Sequence, residues 1–331
     1  MQPFYQIYVD GIDKTDALRH HVIALDLHDQ VGFQSDTLKL VLDNHGAQLM
    51  LPHMGTLLRV HIGYLEQGLV YKGDYIIDEA ELSGPPHTMT LHARATNLRE
   101  SLVGYQTRTW QDTTLGEVIN EIAQDCGVEA RVSEKLAAIP ILSVHQESEN
   151  HLQFLTRLAQ KYNALFKNLP DKIAFLDRNK SETSSGQVLP DFTLTQPEVI
   201  SYQLSLAERV KIGHVTAFWY DKEKAQKEEV KLGDFNKPGK TLRSLFYTQE
   251  EAQAAVEAEL ARSQRLRSQL SLTCVGLPHY LAHSLLKLEA KTSTQDGFMP
   301  PLAGTYQITQ VNHQINTQGY QTRIQALKEV L

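Results

Sequence analysis

The sequence predicts a β-rich α+β fold: two similar antiparallel β-barrels, or tightly curled sheets, with an α/β segment inserted between them. The first observation is a pair of alternating stretches. From Gly304 to Ala326, Gly304, Tyr306 and Ile308 alternate with polar residues, Gln318-Gly319 turns the chain, and Tyr320, Thr322 and Ile324 alternate back. Near the other end Gly73, Tyr75 and Ile77 lead into Ser83-Gly84-Pro85-Pro86, and Thr88, Thr90 and His92 return. Period-two alternation about a glycine turn marks a half-buried antiparallel hairpin. The second observation is order. Leu38-Lys39-Leu40-Val41-Leu42, Leu51-Pro52-His53 and Leu57-Leu58-Arg59-Val60 precede the first hairpin. Leu270-Ser271-Leu272-Thr273-Cys274, Leu277-Pro278-His279 and Leu285-Leu286-Lys287-Leu288 precede the second in the same sequence. Ordered matches of this kind mark one β unit used twice, near residues 37–95 and 269–326. The third observation is a change of period from Arg99 onward, where apolar residues fall at helical spacing.

Taken in order, residues 4–9 alternate as a strand and stop at Asp10-Gly11, a hairpin turn pair. A second strand is expected from His20 to His28, and the first repeat then completes a barrel over residues 1–99, ending near Asn97. In the insertion, residues 100–187, Thr113 or Thr114 caps a helix carrying Leu115, Val118, Ile119, Ile122 and Ala123, and Gly127 ends it. Short strands follow over Val128 to Val132 and, after Ile139-Pro140, Ile141 to His145. Ser148 is the expected N-cap of the next helix, with acidic neighbours Glu147 and Glu149 at its positive end. That helix carries Leu152, Phe154, Leu155, Leu158, Ala159 and Tyr162 on one apolar stripe. Ala164 to Leu169 and Lys172 to Leu176 form a hairpin across Pro170-Asp171. The stretch Arg178 to Gly186, rich in Ser, Lys and Asn, reads as the linker that closes the insertion. The second barrel, residues 188–331, begins near Phe192, with strands about Ile200 to Leu204 and Gly213 to Tyr220. Asp221 to Lys231 mixes both charge signs and reads as a solvated hairpin tip. Thr248 caps a helix over Gln249 to Arg267, acidic at its start and basic at its end as the helix dipole favours, which delivers the chain into the second repeat.

A chain of 331 residues suits two or three domains. Its charged fraction of 21% and hydrophobic fraction of 41% describe a foldable chain. With 32 basic and 39 acidic residues the net charge is -7, so no global field attracts nucleic acid or an acidic membrane surface. Met1-Gln2-Pro3-Phe4-Tyr5 lacks a basic region followed by an apolar core, and no apolar run approaches the roughly 20 residues of a membrane span. Neither a secretory signal nor a membrane anchor is expected, and the protein is expected to be made and kept in a cytoplasm, or to leave it by lysis. Cys126 and Cys274 read as free, partly buried thiols.

No catalytic, cofactor-binding or metal-binding residue is expected. Although there are 14 histidines, no HExxH or tight His/Cys set occurs. His20 and His21 are expected in a strand, where neighbours point to opposite faces and cannot grip one metal. His53 and His279 occupy the matching Leu-Pro-His turns and read as structural. A hydrolase would need paired carboxylates or an activated nucleophile in a cleft, whereas Glu147 and Glu149 are accounted for by helix capping. There is no glycine-rich phosphate loop.

Three stretches together resemble one family. They are the capped helix at Thr114 to Cys126, the segment Gln146-Glu147-Ser148-Glu149 leading into Phe154-Leu155-Thr156-Arg157-Leu158-Ala159, and the closing Gly304-x-Tyr306-x-Ile308-x-x-Val311-x-His313. They look like the late control protein D family of contractile-tailed phages, the baseplate hub, and the base of the VgrG spike of type VI secretion. The middle segment departs from the family's usual Glu-Ser-Asp by Glu149 in place of Asp. The resemblance implies two tube-like β-barrels per chain, a homotrimeric ring in the virion tail baseplate, and a junction between the tail tube protein and a separate central spike protein. It also implies passage of DNA and tape measure protein through the lumen and contacts with other baseplate proteins, without specific nucleic-acid binding or cofactors. A sixfold tube must hand over to a threefold spike, and three two-barrel chains offer six similar units with threefold symmetry. VgrG proteins continue into a further domain and a needle, whereas this sequence stops at Leu331, which favours a phage or phage-derived tail. The alternatives are a VgrG-like spike base and a peptidoglycan-active tail enzyme working through residues 100–177. An inner wall that is neutral or acidic is expected, with Lys224, Lys227 and Lys231 outside the bore.

Overall fold

In a computed structural model of the chain, the alternating segments pair as their periodicity demands. Residues 1–30, 36–47, 49–95, 102, 104–168, 172–177, 191–206, 212–221, 224–265, 268–282, 284–291 and 297–328 are described. Asn97, Arg99, the Pro170-Asp171 turn, the linker Arg178 to Gly186 and Arg267 lie outside the described residues.

The chain enters through β1 (Pro3–Val9) and turns at Asp10 and Gly11, both at positive φ, into β2 (Ile12–Asp13), the geometry a two-residue hairpin turn needs. A short helix α1 (Thr15–Leu18) then delays β3 (Val22–Gln30). His20 and His21 consequently lie in the turn before the strand, not in it, and His21 Nδ1 meets the Asp43 carbonyl at 2.9 Å. β4 (Thr37–Asp43), β5 (Leu57–Tyr64), β6 (Gly68–Ser83) and β7 (Thr88–Ala95) complete the first unit.

The insertion runs β8 (Tyr105–Thr114), α2 (Leu115–Asp125), β9 (Glu129–Val132), α3 (Glu134–Ala137), β10 (Pro140–Asn150), α4 (His151–Lys161), β11 (Ala164–Asn168) and β12 (Lys172–Asp177). Thr114 Oγ1 accepts from the Glu117 N–H at 3.3 Å while the Glu117 carboxylate accepts from the Thr114 N–H at 2.9 Å, a reciprocal capping box. The cap of α4 is Asn150 rather than Ser148. β10 continues as a strand through Glu149, Ser148 sits at φ 47° where the β8–β10 register shifts, and Asn150 Oδ1 accepts from the Gln153 N–H at 2.8 Å. Trp110 stacks on Phe154 at 5.1 Å over a core that includes Leu115, Ile119, Leu155 and Phe175.

The remaining elements are β13 (Asp191–Leu194), β14 (Val199–Leu206), β15 (His214–Asp221), β16 (Gln226–Gly233), β17 (Gly239–Phe246), α5 (Gln249–Arg265), β18 (Ser268–Val275), β19 (Leu285–Leu288), β20 (Gly304–Asn316) and β21 (Gly319–Lys328). One expectation fails here. β15 does not join the barrel strands; it forms a three-stranded sheet with β16 and β17. The reason lies in the helix. Ala252, Ala255 and Val256 of α5 present a small apolar face that Val215, Ala217 and Phe246 cover, so this lobe makes its own core. Thr248 Oγ1 accepts from the Glu251 N–H at 3.1 Å, as expected of the cap, and Lys161 of the insertion meets Glu251 at 2.7 Å.

The two repeats match strand for strand. β3-β4-β7-β6-β5 in the first corresponds to β14-β18-β21-β20-β19 in the second. Leu38 faces Ala93, which faces Ile77; Leu270 faces Ala326, which faces Ile308. Leu58 and Leu286 stand opposite Tyr75 and Tyr306, and Val60 and Leu288 opposite Gly73 and Gly304. A register shift follows Ile77 and again Ile308; another follows Val22 and again Val199. Each tyrosine hydroxyl donates back to a preceding carbonyl, Tyr75 to Lys72 at 3.2 Å and Tyr306 to Leu302 at 2.6 Å. Ile77 and Ile308 are both buried in their cores, as the alternation predicts.

Gly73 and Gly304 share a φ of 143°, which L-residues rarely adopt. Gly304→Ala is therefore expected to lower stability by roughly 1–3 kcal/mol, read as a shift in the denaturant midpoint. An unchanged midpoint would show that this kink does not hold the strand in place.

Candidate functional site: the seam between the repeated units

The distal half of β20 extends beyond its own unit and pairs antiparallel with β3, from Gln310 opposite Gln30 to Asn316 opposite Ala24. This seam fuses both repeats into one 13-stranded sheet. On its core side Ile315 lies opposite Leu25 and His313 opposite Leu27, so Ile315 and Tyr320 of the second unit enter the core of the first. Tyr64 donates to the Gly276 carbonyl at 3.0 Å and its ring lies 5.6 Å from that of Tyr320. Gly276 is needed because a Cβ there would overlap both tyrosines.

At the other end of the seam, four segments of the chain bring charge together. Asp29 comes from β3, Asp36 from the approach to β4, Lys72 from β6 and Lys167 from β11 of the insertion. Asp29 accepts from the Ala282 N–H at 2.8 Å and stands 3.7 Å from Lys167 Nζ; Lys72 Nζ donates to the Tyr280 carbonyl at 3.2 Å. His313 closes the group. Its Nε2 faces the Tyr280 carbonyl at 3.3 Å and therefore carries the proton, leaving Nδ1 to accept from the Tyr320 hydroxyl at 2.9 Å. A cavity of about 280 Å³ opens beside these groups.

Burial dominates their ionisation. Burial, reinforced by the charge of Asp29, pushes the Asp36 carboxyl up to about 7. Burial pulls Lys72 down to about 8 against the attraction of Asp29 and Asp36. Burial also opposes ionisation of Asp29, yet Lys167 and the Ala282 N–H outweigh it and hold that carboxyl below its ordinary range. His313 is held well below the usual histidine range by burial and by Lys72, and stays neutral. The pH consequence has a definite sign. A buried carboxyl that stays protonated when folded binds more protons than the unfolded chain, so its contribution is present below the ordinary carboxylate value and is lost as pH rises through about 7. The advantage of Asp36→Asn over wild type is thus expected to grow between pH 4 and 7.5 in urea titrations. A constant difference would place Asp36 in water.

Residues weighed in the sequence for catalysis or metal binding lie elsewhere. His53 and His279 are exposed on their turns, Glu147 is exposed, and Glu149 is ion-paired with Arg157. Among the described residues no group of three or more His, Cys, Asp or Glu side chains could hold a metal ion. Cys126 and Cys274 are buried and not joined in a disulfide, and burial pushes the Cys274 thiol up to about 12. Sequence reasoning missed the charged group at the seam. Its signal was present in Asp29, which falls in phase with Leu25 and Leu27 on the core face of β3, where a charge needs a partner.

The sequence profile of the family described as phage tail baseplate hub (GPD) matches residues 67–319. The chain is 32% identical over 234 residues to a probable baseplate hub protein of Escherichia phage 186, and 34% identical over 219 residues to one of Escherichia phage P2. These matches cover 70% and 66% of the chain but 60% and 57% of the relatives, so the chain spans less than two thirds of their length. In fold it is similar to a 43 kDa tail protein of a Shewanella oneidensis prophage, with a TM-score of 0.69 over 99% of this chain and 98% of that one at 14% identity. It is also similar to an E. coli component of the type VI secretion system, with a TM-score of 0.57 over 100% and 77% of the two chains at 12% identity.

Proposed function

The chain belongs to the phage tail baseplate hub family, and from that premise we propose that three copies form the ring at which a contractile tail's hexameric tube hands over to a separate threefold spike. The observation that carries this reading is the duplication. Two units of one register, joined by one seam, let three chains offer six similar faces to a tube while keeping the symmetry of a spike. We assign it a structural role: the Glu149 carboxylate is taken up by Arg157, and the hydroxyl–imidazole contact of Tyr320 with His313 at the seam is buried.

DNA and tape measure protein would pass along the face of the sheet opposite the core. On β14, β18, β20 and β21 that face is mainly uncharged and polar, with Ser201, Gln203, Ser271, Asn312 and Gln325, and its Arg323 lies 3.5 Å from Gln314. On the first unit Arg94 of the same face is paired with Asp78, and Glu79 and Glu81 stand nearby. Such a wall offers phosphates little counterion release and so little to retard passage. Lys224, Lys227 and Lys231 belong to the separate β15–β17 lobe, where Lys224 and Lys231 are paired with Glu228 and Glu229. We assign that lobe to the outside, facing neighbouring baseplate proteins.

Electron microscopy of tails carrying the chain tests the reading. Three copies about an open channel are expected, together with weak DNA binding by the isolated ring that becomes tight and salt-sensitive in Gln314→Lys/Gln325→Lys. Tight, salt-sensitive binding by the wild type would contradict the assignment of the wall.

A further inference from the structure

We propose that the cavity beside the charged seam binds a monovalent carboxylate, held between the ammonium groups of Lys72 and Lys167 where the two repeated units and the insertion meet. Its residues come from one chain, so ligand binding and ring formation are separate properties.

Unused donors point to the ligand. An ammonium carries three N–H donors and no acceptor, and withdrawing donors from water without giving them acceptors is costly. Lys167 Nζ stands 3.7 Å from Asp29 Oδ1, beyond hydrogen-bond length, and has no hydrogen-bond acceptor among the described residues. Lys72 Nζ has one, the Tyr280 carbonyl at 3.2 Å. The charge of Lys167 lies close enough to disfavour that of Lys72. Other polar groups around the cavity are engaged. Asp74 is paired with Arg59 at 2.8 Å, and the ring nitrogens of His28 meet the side-chain amides of Gln310 and Asn312 at 2.8 and 3.2 Å. Tyr75 donates to the Lys72 carbonyl, and His313 is held between the Tyr280 carbonyl and the Tyr320 hydroxyl. Asp29 Oδ1 receives no N–H; the neighbouring Asp36 carboxyl, which hydrogen-bonds to the Asp29 side chain, supplies the proton it lacks. The donors left over are those of the two lysines.

Charge and shape select the ligand class. With Asp36 protonated and His313 neutral, Lys72 and Lys167 against Asp29 leave one net positive charge (2 − 1). A monoanion cancels it, whereas a dianion meets repulsion from Asp29. A carboxylate offers one oxygen to each ammonium in charge-assisted hydrogen bonds. The cavity, about 280 Å³, has Tyr71 and Leu281 in its lining, 53% and 39% exposed, and these give a short apolar stem something to pack on. The bound carboxylate ties Lys167 of the insertion to Lys72 of the first unit, which already holds the second unit through Tyr280.

Occupancy is linked to protons. The anion favours neutral Asp36 and charged Lys72, a state that is filled in mild acid and lost as pH rises through about 7 for Asp36 and about 8 for Lys72. Tyr75, held well above its ordinary value by burial, stays neutral throughout. Apparent affinity scales with the fraction of chains in the competent state, so it falls at least tenfold between pH 6 and pH 8.

Thermal unfolding of the full chain in sodium acetate, against sodium chloride of equal ionic strength, is the test. At pH 6 acetate is expected to raise the melting temperature saturably. The concentration giving half the rise is expected to be at least tenfold higher at pH 8, and in Asp36→Asn only about twofold higher. Lys72→Gln and Lys167→Met are each expected to abolish the rise, whereas Lys224→Gln, in the β15–β17 lobe, keeps it. N-acetylglutamic acid amide separates the two sources of a carboxylate: a rise at lower concentration than acetate assigns the site to a glutamate side chain of a protein segment, and a rise with acetate alone assigns it to a free acid. A rise that fails to saturate, that persists in Lys72→Gln, or that needs the same concentration at pH 6 and pH 8 would overturn the site. Lys72→Gln and the wild-type pH profile decide the matter even if Lys167→Met does not fold.

Discussion

Ile308→Ala is expected to lower the unfolding free energy by about 2–5 kcal/mol, and Ile77→Ala by a similar amount. Both isoleucines are buried at the same place in their units, one residue before a register shift and across from an alanine, Ala93 or Ala326. A small partner on the facing strand leaves the isoleucine to fill the space between layers, so its loss leaves a cavity that neighbours cannot close. Chemical denaturation of the two variants is the check. Parallel losses would confirm that the equivalence extends to energetics; a change below about 0.5 kcal/mol at either site, the range of surface substitutions, would mean that strand is not held by its core face.

Lys167→Met is expected to lower stability by about 3 kcal/mol, the lower end for breaking a buried ion pair, because a third of the Lys167 side chain remains exposed. Lys167 is the insertion's contribution to the seam. Without it Asp29 remains buried with only the Ala282 N–H and Lys72 to compensate its charge. The double change Lys167→Met/Asp29→Asn should recover most of the loss, since the amide still accepts from Ala282 and no charge is left unpaired. Recovery in urea titrations at pH 7 is the expected outcome. A double variant as unstable as the single one would show that Lys167 acts through its packing.

Much of the fold is legible in the sequence because the repeat is carried by positions with few alternatives. Gly73 and Gly304 take a backbone conformation other residues avoid, and the leucines facing Tyr75, Tyr306, Ala93 and Ala326 set the register that the alternation implies. The Thr114 and Thr248 caps are local chemistry and fall where expected. Ser148 misleads because β10 runs on past His145, a preference set by pairing with β8 and invisible to a local capping argument. β15 misleads for a related reason: a strand's alternation tells that one face is buried but not against what, and here α5 supplies the cover. The seam is the least legible feature. Asp29 and Lys167 are separated by the whole of the first unit and most of the insertion, so only a tertiary contact reveals that each completes the other.

The hub role requires above all two units per chain and three chains per ring. The chain has a mass of 37.4 kDa. Native mass spectrometry of the associated protein should give three times that mass, 112.2 kDa (3 × 37.4), with no larger closed species. A species of six chains at 224.4 kDa (6 × 37.4), or a monomer that persists at every concentration and within isolated baseplates, would contradict it.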